Sequence, residues 1–177
     1  MINDHGICYN RYPCYYKDDA KNCLYDFDDI MDKLSIDYFL VFGSCMAAVR
    51  ELDFILDDND IDIAIIGHKD MRHKLILKLK HNGFSIGKTK IINNVIKQVH
   101  VFKYGIFLDL FFYDREGDIL VSSKEVYNKQ YKHFKIPCYV EFYDRMFRIP
   151  YPLEEYLRSI YGDKWETITV AEYKGDK

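Results

Sequence analysis

Apolar positions recur at helical spacing through Ala20, Cys23, Leu24, Phe27, Ile30, Met31 and Leu34. One stripe of that kind predicts an amphipathic helix, with Asp18 and Asp19 suited to its N-terminus. Ahead of it, residues 1–17 read as an irregular polar-aromatic segment in which Pro13 breaks any regular element. Behind it the pattern changes. Asp37 to Phe42, DYFLVF, is a compact apolar run that predicts a buried strand, then a tight Gly43-Ser44 turn into a short helix, Cys45 to Glu51. A second strand, Ile61 to Ile66, follows directly on an acidic cluster, and a helical pattern over 69–82 stops at Asn82-Gly83. From Phe84 to Tyr113 the chain is rich in Ile, Val and Phe, broken by Gly87, Asn93-Asn94 and Gly105, which predicts two or three strands in a meander. The remainder reads as helical, with Pro152 at the start and Gly162 at the end of LEEYLRSIY. No internal repeat, low-complexity tract or linker interrupts this order, so a single α+β domain over residues 1–177 is the simplest account.

Composition narrows the function classes. The formal net charge is −3, which argues against a broad nucleic-acid surface but leaves room for a nucleotide if a metal carries positive charge locally. No apolar run approaches the roughly 18 residues of a membrane span, and Met1 to Asn10 lacks a signal-peptide pattern. The five dispersed cysteines, Cys8, Cys14, Cys23, Cys45 and Cys138, read as reduced thiols in a cytoplasmic setting. His5, Cys8, Cys14 and Cys23 match no standard zinc spacing, and none of the six histidines stands out. The 16 tyrosines and 12 phenylalanines are read as core filling rather than base or sugar stacking.

The chemistry concentrates in Gly43 to Ile63, GSCMAAVRELDFILDDNDIDI. Side chains alternate along a strand, so Asp58, Asp60 and Asp62 share one face if the extension begins early enough, while Asn59 and Ile61 point away. Carboxylates two residues apart on one face stand roughly 6–7 Å apart, a spacing that suits one or two Mg²⁺ ions. A solvated acidic loop is the alternative, but the run leads straight into an apolar strand. The Gly43-Ser44 turn, between a buried strand and a helix, offers backbone N–H groups and a hydroxyl to phosphate oxygens. Asp109, in GIFLDLFFY, shares a face with Phe107 and Phe111. It is either a structural acid paired with an arginine or a third carboxylate on a neighbouring strand that completes a metal site.

The order Gly-Ser, helix, Asp-x-Asp and a later strand aspartate resembles the nucleotidyltransferase superfamily. More narrowly, the chain resembles the LicD family, which includes phosphocholine transferases and the fukutin-related proteins. Gly43, Ser44, Ala48, Val49, Arg50, Phe54, Ile55, Asp58, Asp60, Ile61 and Asp62 occupy matching places in its first block. Asp109-Leu110-Phe111 is similar to its later strand, and IPYPLEEYLRSIYGDKW, residues 149–165, to its C-terminal helix. Departures are Asn59 for the middle aspartate, Leu56-Asp57 for a Pro-Trp pair, and Ala47 and Asp53 for glycines. The stretch between Ile66 and Ile106 matches nothing in the family pattern. Acceptor choice is assigned there or to the first 17 residues.

The resemblance implies a nucleotidyltransferase fold, a small mixed sheet flanked by helices. It implies Mg²⁺, with Mn²⁺ as the alternative, held by Asp60, Asp62 and Asp109, which are also the expected catalytic residues. Gly43 and Ser44 would hold phosphate oxygens, and Arg50 would contact the donor's phosphates or brace the acidic loop. A surface ion pair from Arg50 to Asp53 or Asp57 is the competing expectation. Tyr161, Gly162 and Trp165 are read as a helix end packed on the domain. The implied reaction moves a phospho-alcohol, such as phosphocholine, ribitol phosphate or glycerol phosphate, from a CDP-alcohol to a hydroxyl of a glycan or similar acceptor, releasing CMP. Two rivals stand beside it: transfer of a nucleoside monophosphate from an NTP, and a non-catalytic nucleotide-binding member.

Overall fold

The computed structural model describes residues 13–55, 58, 60–123, 129–169 and 172. Helix α1 runs from Pro13 to Leu34, so residues 13–17 are helical rather than irregular. Proline is tolerated in the first turn, where the backbone N–H has no intrahelical partner in any case. The expected stripe is buried: Ala20, Cys23, Leu24, Phe27, Ile30 and Met31 are each no more than 2% exposed.

Strand β1 is only Phe39–Leu40, and helix α2, Phe42–Met46, already contains Gly43 and Ser44. The expected free turn is therefore the first turn of a helix. DYFLVF looks uniformly extended in sequence, but Phe42 takes a left-handed φ of 48° and ends the strand there. A π-helical turn, Ala47–Glu51, continues α2. Strand β2, Asp60–Ile66, begins one residue earlier than its apolar run and so takes in the first aspartate of Asp-x-Asp.

A short 3₁₀ turn, Lys69–Met71, leads into α3, Arg72–His81, which stops at Asn82 as expected. The meander is three strands: β3, Ser85–Ile92; β4, Val95–Lys103; and β5, Ile106–Glu116. The sheet order is β1-β2-β5-β4-β3. β2 and β5 are parallel, and the other pairs in that path are antiparallel. One face carries Ile61, Ile63, Ile65, Val99, Val101, Leu108, Leu110 and Phe112, all buried, and α1 and α3 pack on the sheet through β5 and β3. The opposite face carries the acids.

After β5 the sequence expectation fails. In place of helix there are β6, Ile119–Val121; β7, Lys129–Gln130; a 3₁₀ turn, Tyr131–Phe134; and a hairpin of β8, Cys138–Phe142, with β9, Arg145–Ile149. β6 and β7 are too short to show an alternation, and β8 and β9 carry theirs over only five residues each. The hairpin is stabilised by long-range contacts that sequence spacing does not reveal: Phe142 packs on Phe54 at 5.0 Å, and Tyr143 donates to Asp53 Oδ1 at 2.6 Å. Helix α4, Leu153–Tyr161, lies between Pro152 and Gly162 as expected. Cys23 and Cys45 are buried free thiols and Cys138 is a half-buried one. Burial pushes the Cys23 thiol up to about 12, so it is inert at neutral pH. Among the described residues no helix is long and apolar enough to cross a membrane.

Candidate active site

Parallel pairing sets Asp62 directly opposite Asp109, and Asp60 opposite Phe107. Asp60 and Asp62 lie two apart on β2, so all three carboxylates project from one face. One oxygen from each lies within 4.8 Å of the other two, and all three residues are half-buried. Two oxygens at opposite positions around Mg²⁺ stand about 4.2 Å apart, so this group is able to hold a divalent cation. The donor set, oxygen alone, suits a hard ion. Asp58 lies in the loop ahead of β2 rather than on the strand, and it is not in the converging group. Asn59, expected to point away, lies outside the described residues, as do Leu56 and Asp57.

The neighbouring α2 is pinned to the same strand by its own first residues. Val41 N–H donates to Asp62 O at 3.1 Å, and Asp62 N–H donates to Ser44 Oγ at 2.8 Å. Ser44 therefore braces α2 against β2. The first-turn N–H groups, Gly43's among them, have no intrahelical acceptor. Phe42 N–H donates to Tyr156 Oη at 3.2 Å, which ties α4 to the same turn.

Arg50 points to other partners. Its guanidinium pairs with Glu51 at 2.7 Å and donates to the carbonyl oxygens of Trp165 and Ile168 at 2.9 and 3.0 Å. The structure thus makes it a clamp on the segment after α4 and not a partner of Asp53; Asp57, the other expected partner, lies outside the described residues. Asp53 is held by Lys17, Tyr143 and the Phe54 N–H.

One residue escaped the sequence pattern. Antiparallel pairing places His100 of β4 opposite Asp109, and its Nδ1 contacts Asp109 Oδ1. That hydrogen bond holds the imidazole's pKa above its ordinary value, although burial pulls the other way. The partners are in different strands, so only a known register could have revealed the pair.

The family model for LicD/FKTN/FKRP, nucleotidyltransferase domain, matches residues 35–151, more than half of the chain. The chain belongs to the LicD family. The match runs through the stretch 67–105, which the family motifs do not reach, and it stops before the Tyr161-Gly162 block. LicD-family relatives include the ribitol-5-phosphate transferase FKTN of Homo sapiens and of Macaca fascicularis, each 24% identical over 158 residues. Those alignments cover 85% of this chain and 34% of the relatives, so the chain spans about a third of their length. Solved structures of similar fold are ANT(2")-Ia in complex with adenylyl-2"-tobramycin and a solution structure of ANT(2'')-Ia. The first has TM-score 0.51 at 12% identity, covering 72% of this chain and 66% of the other; the second has TM-score 0.58 at 12% identity, covering 89% and 82%. This LicD-family chain has a nucleotidyltransferase fold, and its family model is that of a nucleotidyltransferase domain.

Proposed function

We propose that this protein transfers a phospho-alcohol group from a CDP-alcohol to a hydroxyl of a glycan or similar acceptor, in a Mg²⁺-dependent reaction that releases CMP. The convergence of Asp60, Asp62 and Asp109 carries this reading, and ribitol phosphate is the leading group because the FKTN relatives are named for its transfer.

Asp60, Asp62 and Asp109 would hold the cation, which when bound supplies charge neutralisation at the diphosphate. Gly43 and the first turn of α2 would take phosphate oxygens through backbone N–H groups, with Ser44 fixing that turn to β2. Asp109 orients the acceptor hydroxyl and receives its proton. The acceptor oxygen bonds to the phosphorus that bears the alcohol, and the bond from that phosphorus to CMP breaks. Arg50, through Trp165 and Ile168, would keep the C-terminal segment in place beside the π-turn.

The test compares leaving groups. Protein, Mg²⁺ and an acceptor extract are incubated with CDP-ribitol, CDP-glycerol or CDP-choline in one set and with NTPs in another. Acceptor-dependent CMP release is expected. Pyrophosphate from an NTP, with no CMP from any CDP-alcohol, would replace this reading with nucleoside monophosphate transfer.

A further inference from the structure

Asp109 occupies the middle of a row that crosses three strands. Asp62 faces it from β2 on one side and His100 faces it from β4 on the other. The His100 ring is about one-third exposed and Asp109 is 15% exposed, so the contact between Nδ1 and Oδ1 is sheltered but not sealed. A carboxylate left to itself rotates about its last bond. Accepting a hydrogen bond at Oδ1 fixes that rotation and leaves the second oxygen available to the acid group.

The backbone around His100 is built to hold the ring there. The register between β3 and β4 shifts between Ile86 and Thr89, and Gly87 falls in that irregular step. A Cβ at Gly87 would stand 3.2 Å from the His100 carbonyl oxygen and 3.6 Å from its Cβ. Glycine therefore lets β3 approach His100 from behind without pushing the imidazole off Asp109.

We propose that His100 is a positioning residue for Asp109: its Nδ1–H sets the carboxylate in the orientation that completes the cation site. This rests on the reading of Asp109 as a cation ligand. An ordinary cross-strand pair would contribute to sheet stability alone; a positioning partner acts on cation affinity and turnover, and a side chain with a donor in the same place can replace it.

The experiment measures Mn²⁺ binding by electron paramagnetic resonance, alongside thermal unfolding, for the wild type, His100→Leu, His100→Asn and Asp109→Asn. Leucine keeps bulk without a donor, and the asparagine amide carries a donor close to the place of Nδ1. His100→Leu is expected to weaken Mn²⁺ binding by about 10- to 100-fold, with a melting temperature close to wild type. His100→Asn is expected to restore most of that affinity. If Asp109→Asn loses Mn²⁺ while His100→Leu binds as wild type, or if Asn and Leu fall equally, the positioning role is overturned and the acid site stands. If Asp109→Asn binds as tightly as wild type, the reading of the acid site has failed and the role of His100 falls with it.

Discussion

Strand β5 carries two aspartates with opposite surroundings. Asp109 joins Asp60 and Asp62, so that three like charges converge. Asp114, roughly 17 Å further along by strand rise, is a single buried acid among three cations: Arg72 at 2.7 Å, Lys97 at 2.5 Å and Lys69 at 3.6 Å. Arg72 is itself 1% exposed, and it donates as well to the carbonyl oxygens of Ile96 and Gly67. Burial pushes the Asp114 carboxyl up, but its hydrogen bonds to Lys97 and Arg72 outweigh that and hold it below the usual carboxylate range. One end of the strand has its charge balanced within the fold. The other brings three carboxylates together at its surface, one of them beside His100. The first arrangement stabilises a structure, and the second invites a cation.

The largest effect should come from breaking the balanced end. Asp114→Ala leaves Arg72 buried without its carboxylate and should cost about 3–5 kcal/mol in chemical denaturation. The sign with pH follows from the depressed folded pKa. The contribution is complete above the unfolded value, about 3.9, and is lost as pH falls through the folded one. The gap in stability between wild type and Asp114→Asn should therefore narrow below about pH 4. A gap that holds constant down to pH 2 would show that the Asp114 charge contributes nothing.

Breaking the converging end should do the reverse. Asp60→Asn should lower CMP release by about 10²-fold or more while leaving the melting temperature within a few degrees of wild type. Loss of stability equal to that of Asp114→Ala would erase the contrast between the two ends. The same contrast can be sharpened without mutation. Mg²⁺ at about 100 times its Kd should raise unfolding free energy by roughly 2.7 kcal/mol, and Asp109→Asn should abolish that gain while Lys69→Ala keeps it. The smallest effect concerns the scaffold behind the acids. Tyr156→Phe removes the hydroxyl that accepts from Phe42 N–H and should cost about 1 kcal/mol; no change in urea midpoint would count against a bracing role for α4.

Much of the acid end was legible because it obeys simple periods. Alternation in DIDIAII puts Asp60 and Asp62 on one face, and three carboxylates suit a hard cation. The α1 stripe was legible for the same reason. The balanced end was not: Arg72 opens α3, and its partner Asp114 lies 42 residues further on, on β5. His100 was hidden because its partner depends on register. β6 and β7 were missed because they pair only over two or three residues with β5 and each other, and β8 and β9 because their hairpin rests on Phe54 and Asp53, distant in sequence. The start of α2 was misplaced because a phenylalanine, not a glycine, takes the left-handed turn.

The parallel pairing of β2 with β5 has a consequence for how the protein folds. β3, β4 and β5 are joined by tight turns, so His100 and Asp109 can meet early, at little cost in loop-closure entropy. Asp60 and Asp62 can join them only after the chain has closed the long crossover that contains α3, β3 and β4. The three-carboxylate group thus depends on the least local pairing of the sheet, and an ion bound there would stabilise only forms in which that pairing is made. Hydrogen exchange should register this as slower opening of the β2 amides when Mg²⁺ is added, with the β3–β4 turn little changed.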